Sequence, residues 1–437
     1  MLTARSDLRP CGNKNFGGFV MALFKKKKND IQEIELSEKH IGLRFALVII
    51  FLLIGLACIA FFLISLLSED DGWQTISPSN TSISTLESEF TLNYNLGSGE
   101  ISATNEKKAL QSDYSSALER AYKIFDIYAT YDDVVNLKYI NSHLNETVSV
   151  GNLLYEAFEA VEQSGSRMIY LGPVYAEYRN VYGSSDDTNA AICDPTKNEN
   201  SAEYVGQVLG FANDPEAVSI ELLENNKIRL NVSDEYLAFI DEYQIDCCID
   251  FSWIANAFIV DHVADLLISK GYTHGNISSY DGYIRYLDKN DNTYTLDIYD
   301  LEGTTVYPAA LAECKNISAM VFWRKYPLNE IDSTCYYAYS DGSFANRYID
   351  TADGAYKAAI ANILSYSASK RCADIALALA DVVIAEELDE AEIMQMKNDG
   401  ICSVWTYNCV VNYNDSKLNV NNLYDLNGIT YTKKYVE

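Results

Sequence analysis

The sequence predicts an α+β fold exported behind one N-terminal transmembrane helix, and three observations carry that reading. An unbroken apolar run, Phe45 to Leu67, is long enough to cross a hydrocarbon core of about 30 Å. Beyond it, apolar residues recur at helical spacing in some segments and alternate with period two in others. The two kinds of segment follow one another irregularly, and the strand-like ones come in hairpin-like pairs, which favours α+β over a regular βαβ order.

The balance of the 437 residues limits what the protein meets. Lys and Arg total 33 against 62 Asp and Glu, a formal charge of -29. A polyanion would be repelled by that field, so nucleic acid is excluded as a partner. At 48% hydrophobic and 22% charged, the chain is globular rather than disordered. Its 33 tyrosines are the unusual count.

Taken in order, residues 1–44 form a leader with nine Lys/Arg and five Asp/Glu, leaving 24 and 57 for the rest of the chain. Lys25 to Lys28, Lys39 and Arg44 precede the apolar run, and Glu69, Asp70 and Asp71 follow it. The positive-inside rule therefore keeps the N-terminus cytoplasmic, makes 45–67 a single-pass anchor in the cell membrane, and places the C-terminal body outside the cytoplasm. Residues 1–20 have no periodicity, and Met21 opens a cleaner leader, MALFKKKKND, so Met21 is expected as the true start, which would remove Cys11. Cys58 is expected as a cysteine buried in the bilayer.

Residues 68–108 are rich in Ser, Thr, Asn and Glu and read as an extracytoplasmic linker with one strand, Phe90 to Asn95. The folded domain is expected over 109–410, with 411–437 as a C-terminal extension. Ala109 to Tyr131 and Asn152 to Ser164 carry helical periodicity. A polar insert covers Gly183 to Ala202. Ala217 to Leu223 and Lys227 to Val232 read as a hairpin around Glu224-Asn225-Asn226. Trp253 to Lys270 is a buried helix closed by Gly271, followed by strands around Gly275 to Tyr286 and Tyr294 to Tyr299. Asp288, Asn290 and Asn292 imitate half of an EF-hand loop, but Thr293 and Tyr299 stand where Gly and Glu are required, so a polar turn is expected. Lys370 to Ala385, Asp389 to Lys397 and Ile401 to Trp405 complete the body as two helices and a strand.

Familiar chemistry is mostly missing: there is no GxxxxGK[ST], HExxH, GxSxG or GxGxxG. Eight cysteines follow the apolar run, without a CxxC; an exported domain permits disulfides, although a core of this size does not need them, and Cys402 with Cys409 is the best local pair if they form. Tyrosine richness alone suits a sugar-binding or adhesive surface as well as a half-buried strand residue.

Order along the chain says more. YDDVVNLKYINSHLNETVSVGNLLYEAFEAVEQSGS (Tyr131 to Ser166) is followed by Gly172-Pro173; DFSWIANAFIVD (Asp250 to Asp261) aligns with DLGGIAKGYAVD; SYDGYIR (Ser279 to Arg285) with NLGGDIR; RYIDTADGAY (Arg347 to Tyr356) with HIIDPRTGYP; and ADIALALADVVI (Ala373 to Ile384) with ADALSTALFVLG. Across residues 109–405 these segments resemble the FAD:protein FMN transferase (ApbE) family. The resemblance implies that FAD and Mg²⁺ are the cofactors and that an exported flavin-accepting redox protein is the partner. It also implies that Gly172, Ala255, Asn256, Arg285 and Arg347 bind the cofactor, and that the Ala255 carbonyl and Asp374 ligate the metal.

The departures from that pattern bear on activity. Gly-Gly is replaced by Ser252-Trp253, which puts a side chain where backbone would approach phosphate. The motif Lys is Asn256, its His is Arg347, its Thr are Asp353 and Ala378, and Arg167-Met168 replaces FD. Asp350, Asp353 and Asp381 are the nearby carboxylates that could substitute as ligands. Asp250 reads as the N-cap of the following helix, and Asp281-Gly282 as a hairpin turn. Two functions stay open: a degenerate membrane-anchored transferase moving FMN from FAD to Thr or Ser of an exported protein, or a catalytically inactive flavin- or protein-binding scaffold at the cell surface.

Overall fold

In the computed structural model the described residues are 46, 49–56, 59, 71–97, 102–288, 292–426 and 428–437, without the side chain of Ser333. The chain divides into two units, Met1–Leu67 and Ser68–Glu437. In the first, the described residues are helical. Among the described residues no helix is long and apolar enough to cross a membrane. Most of the expected span 45–67, the basic leader, Met21, Cys11 and Cys58 lie outside the described residues.

The second unit is organised by a nine-stranded sheet whose spatial order is its chain order. From one edge run Gly72–Ile76, Phe90–Leu96, Gly275–Ser279, Tyr283–Tyr286, Ala319–Arg324, Asn362–Ser367, Cys402–Tyr407, Val410–Tyr413 and Thr432–Tyr435. Every neighbouring pair is antiparallel except the last, which is parallel. The sheet is thus a meander whose connections carry several insertions, two of which bear on the layering. The first holds the helices Ala103–Phe125, Asn152–Ser164, Gly172–Tyr182, Glu199–Ala212, Asp234–Tyr243 and Ala255–Ser269, with a small sheet of Thr147–Ser149, Lys227–Val232 and Val218–Leu223. The second holds the hairpin Thr293–Glu302 and Thr305–Lys315, extended by Asn419–Asn421.

Successive strand residues point to opposite faces, and here both faces are covered. Val321, Trp323, Ile363 and Trp405 pack into the large core with the helices, whereas their neighbours Met320, Leu364 and Val404 pack into a second core with Leu296, Ile298, Ala310 and Val420 of the smaller sheet. The helices Ala255–Ser269 and Cys372–Val383 lie on the first face. The result is a helix layer, a central sheet and a second sheet.

Several boundaries differ from the sequence expectation. Residues expected as linker contribute two strands: Phe90–Leu96 alternates strictly buried and half-buried and pairs with Gly275–Ser279, and Gly72–Ile76 forms the sheet edge. Val410–Tyr413 runs across the expected start of the extension, and Thr432–Tyr435 closes the sheet beside it. The polar insert contains the helix start at Glu199, capped by Asn198, whose Oδ1 accepts from Asn200 N and Ser201 N. Cys402 and Cys409 are free thiols. The strand Cys402–Tyr407 separates them, which at about 3.3 Å per residue is beyond disulfide reach.

Candidate ring-binding cavity

A cavity of about 380 Å³ opens where the helix Ala103–Phe125 ends and the helix Ala255–Ser269 begins. The first helix stops because Asp126 turns to extended backbone. Its carboxylate then organises the following loop: Oδ1 accepts from Tyr128 N at 2.7 Å, and Oδ2 accepts from the Tyr131 hydroxyl at 2.6 Å. That loop sets Tyr128 and Tyr131 beside Tyr122 and Phe125, and with Tyr280 they give the cavity aromatic walls. Phe125 is anchored from behind by Phe251 and Phe258, with ring centroids at 5.6 and 6.0 Å. Burial pushes the Tyr122 hydroxyl up to about 12, with the Glu89 charge adding to the shift.

The floor is set by Asp250. Asn141 fixes the segment ahead of it: its Oδ1 accepts from Cys248 N at 2.8 Å and Ile249 N at 3.0 Å. Asp250 is buried, accepts from Ser252 N at 2.7 Å, and pairs with Arg179 at 2.6 Å. It therefore stabilises a turn ahead of the helix and is not its N-cap, a position taken by Ile254. Burial would lower the Arg179 pKa, but Asp250 and Tyr128 outweigh it and hold the guanidinium charged.

The expected site residues fall in several places. Ala255 and Asn256 line the cavity. Asn256 Nδ2 donates to Asp281 Oδ2 at 3.0 Å, so the amide is tied to a carboxylate. Gly172 does not line it; a Cβ there would meet the Cys247 carbonyl oxygen, so the glycine serves close packing of the helix Gly172–Tyr182 against 247–248. Arg285 is buried between Asp261 at 2.8 Å and Asp265 at 3.0 Å. Arg347 is buried 2.8 Å from Asp281, and its Nη1 donates to Ser252 O at 3.4 Å. The Arg347–Asp281 charges are at contact distance, yet Nη2 is not aimed well enough to count as hydrogen-bonded.

Asp374 is exposed at the start of the helix Cys372–Val383, where Oδ2 accepts from Arg371 N at 3.0 Å in a capping box. It lines a separate cavity of about 100 Å³ beside Phe258, Asp261, His262 and Asp265. Those residues follow Ala255 by one to three helical turns, roughly 5–15 Å along the axis at about 1.5 Å per residue. The two expected metal ligands, Ala255 and Asp374, thus line different cavities. Of the substitute carboxylates, Asp350 and Asp353 are held by Lys357 at 2.7 and 2.9 Å, and Asp381 is exposed.

Trp253 differs from expectation in direction. It is 2% exposed, sits in the helix-side core, and is absent from the cavity wall, which Ser252 lines instead. A large apolar ring gains more from the core than from a polar opening. The central role of Asp281 was hidden by its Asp-Gly context. Gly282 does turn the hairpin with φ +103°, and a Cβ on it would meet the Phe322 carbonyl. The Asp281 carboxylate meanwhile gathers Ser279, Asn256 and Arg347.

The aromatic walls fit the flavin part of FAD, since a cavity of this size holds a planar ring. The phosphate part fits poorly: Glu89, Asp126 and Asp250 face the opening against Arg179, which Asp250 already neutralises. No protein-family model matches the chain, and no curated protein matches it. Among solved structures, the ApbE protein of Thermotoga maritima superposes with a TM-score of 0.51 at 15% identity, covering 77% of this chain and 94% of that one. The flavin transferase ApbE of Vibrio cholerae gives 0.49 at 13%, covering 80% and 96%. The apo flavinyl transferase ApbE of Pseudomonas stutzeri gives 0.48 at 13%, covering 80% and 94%. The first of these carries the conclusion that the chain is a distant ApbE-like protein in its fold.

Proposed function

We propose that this chain is a membrane-anchored, extracytoplasmic flavin-binding protein on an ApbE-like fold, in which FMN transfer has lapsed. The observation that carries it is the aromatic-walled cavity at the head of the helix Ala255–Ser269, whose nearby cations are already committed to carboxylates. Aromatic walls supply stacking and dispersion for a ring. Transfer needs more, namely a cation to offset charge developing on the bridging phosphate. Losing one well-placed electrostatic contact commonly costs about 10²–10³ in rate. Here Ala255 and Asp374 line different cavities, and Arg285 and Arg347 are internal counter-ions.

The anchor rests on the apolar run 45–67 and its charged flanks. Outside the cell an exported redox protein would be the natural neighbour, as a partner in flavin exchange rather than an acceptor of covalent FMN.

The test uses the full chain in detergent with FAD, with and without Mg²⁺, and an exported Thr- or Ser-bearing flavin acceptor. The expected result is reversibly bound yellow flavin and no covalent flavin fluorescence on the acceptor. Absence of bound flavin would overturn the binding reading. Robust Mg²⁺-dependent flavinylation, abolished by Asp374→Ala, would overturn the lapse of transfer. Protease added to intact cells is expected to remove a large C-terminal fragment, and full protection would overturn the topology.

A further inference from the structure

A second polar cluster lies where the outer hairpin meets the central sheet, and none of its members lines the aromatic cavity. Asp300 and Glu302 project from the strand Thr293–Glu302, two residues apart and hence on the same face. Cys409 sits in the tight turn that joins Cys402–Tyr407 to Val410–Tyr413. One ligand atom from each of the three lies within 4.8 Å of the other two. Cys409 Sγ is already 3.3 Å from Glu302 Oε1.

The group that points to a ligand is Asp300. It is only 4% exposed, and its Oδ1 accepts from Leu301 N and Thr406 Oγ1, both at 2.9 Å. Its other oxygen, Oδ2, completes no hydrogen bond. Burial raises the Asp300 carboxyl pKa, against the opposing hydrogen bonds of Thr406 and Leu301 N and the nearby buried Tyr431 hydroxyl, which completes no hydrogen bond of ordinary geometry either. A buried carboxylate oxygen without a partner costs on the order of 1–3 kcal/mol. That cost is removed when the oxygen takes a cation.

We propose that Asp300, Glu302 and Cys409 form a binding site for a borderline-soft divalent metal of the zinc class. A thiolate ligand disfavours Mg²⁺ and Ca²⁺, which prefer oxygen. Tetrahedral zinc with ligands at about 2.0–2.3 Å sets donors roughly 3.5 Å apart. The Cys409–Glu302 spacing already meets that, and the 4.8 Å limit leaves a contraction of at most about 1.3 Å. The fourth position is left to water. A cysteine thiol, with an ordinary pKa of about 8.5, carries its proton at neutral pH. On binding, the S–H bond breaks, the proton goes to solvent, and the sulfur lone pair forms the metal bond.

The experiment uses the full chain, stripped with a chelator and dialysed against Zn²⁺ alone, then against Co²⁺ alone. The expected result is one Zn²⁺ per chain, retained against millimolar Mg²⁺, and a near-ultraviolet thiolate-to-cobalt absorption band. Cys409→Ser is expected to abolish the band and weaken Zn²⁺ binding at least tenfold, and Asp300→Asn to weaken it while leaving the thiol in place. Circular dichroism checks the fold, and Cys409→Ser is the variant of choice because its turn is at the surface. No uptake, or a band and affinity unchanged in Cys409→Ser, would overturn the site.

Discussion

Replacing Asp281 by asparagine tests whether Arg347 is an internal counter-ion or a spare cation for phosphate. The two side chains are 6% and 2% exposed and 2.8 Å apart, which at an effective dielectric of about 20 corresponds to a gross attraction of about 6 kcal/mol. Burying both charges consumes much of that gain, so the pair has little net worth compared with an apolar replacement. Removing one partner is different, because the other remains buried and uncompensated, at a cost of about 3–5 kcal/mol. Since Arg347 Nε and Nη2 complete no hydrogen bond, Asp281→Asn is expected near the lower end, about 3 kcal/mol. Urea unfolding followed by tryptophan fluorescence measures the loss. Arg347→Met in the same chain is expected to return at least half of it, giving a coupling well outside the roughly 0.5 kcal/mol of independent sites. Additive effects, or a loss below about 1 kcal/mol, would refute the buried-pair reasoning. Tighter FAD binding by Asp281→Asn would show instead that Arg347 reaches phosphate once released.

Gly172→Ala places a methyl against the Cys247 carbonyl and is expected to cost about 1–3 kcal/mol, read as a lowered thermal midpoint; an unchanged midpoint would deny the close approach. Tyr128 is 70% exposed, so Tyr128→Ala should spare the fold while weakening flavin binding by about 1 kcal/mol, several-fold in a fluorescence titration. Burial lowers the His262 pKa below its ordinary 6.5, against the opposing charges of Asp265 and Glu156. The unfolded chain therefore binds that proton more readily, so stability is complete above about pH 6.5 and declines as pH falls towards the folded value. His262→Gln should remove that part of the slope in urea midpoints taken between pH 7 and 5.

Helices and hairpins were the most legible parts of the fold, because their signals are local. Asn152–Ser164 and Lys227–Val232 occur with the bounds their periodicity predicts, and Gly271 closes the helix before it with φ +93°. The strands Thr305–Lys315, Ala319–Arg324 and Asn362–Ser367 were not legible. The last two lie in the central sheet between two layers, so AMVFWR and NILSYS are buried on both faces and lose the polar-apolar alternation that marks a strand. The aromatic cavity was hidden in a different way. Its walls come from Tyr122 to Tyr131 and from Tyr280, segments joined only when Gly275–Ser279 pairs with Phe90–Leu96.

Charged residues were the least legible, and the acidic excess explains why. In a chain with 33 cations and 62 anions, every buried arginine has carboxylates available to it. Arg285 takes Asp261 and Asp265, Arg324 takes Asp332 at 2.7 Å, and Arg347 takes Asp281. An arginine in a phosphate-binding motif and an arginine holding a hairpin to a helix are the same letter in the sequence. What separates them is whether the partner is a protein carboxylate, and only tertiary structure supplies it. Asp261 shows the same principle from the acidic side: besides pairing Arg285, it accepts from Cys372 N and Ala373 N, both at 2.9 Å, and so caps a helix more than a hundred residues away. A motif aspartate can thus be required by the fold itself, through the helix it caps and the arginine it pairs.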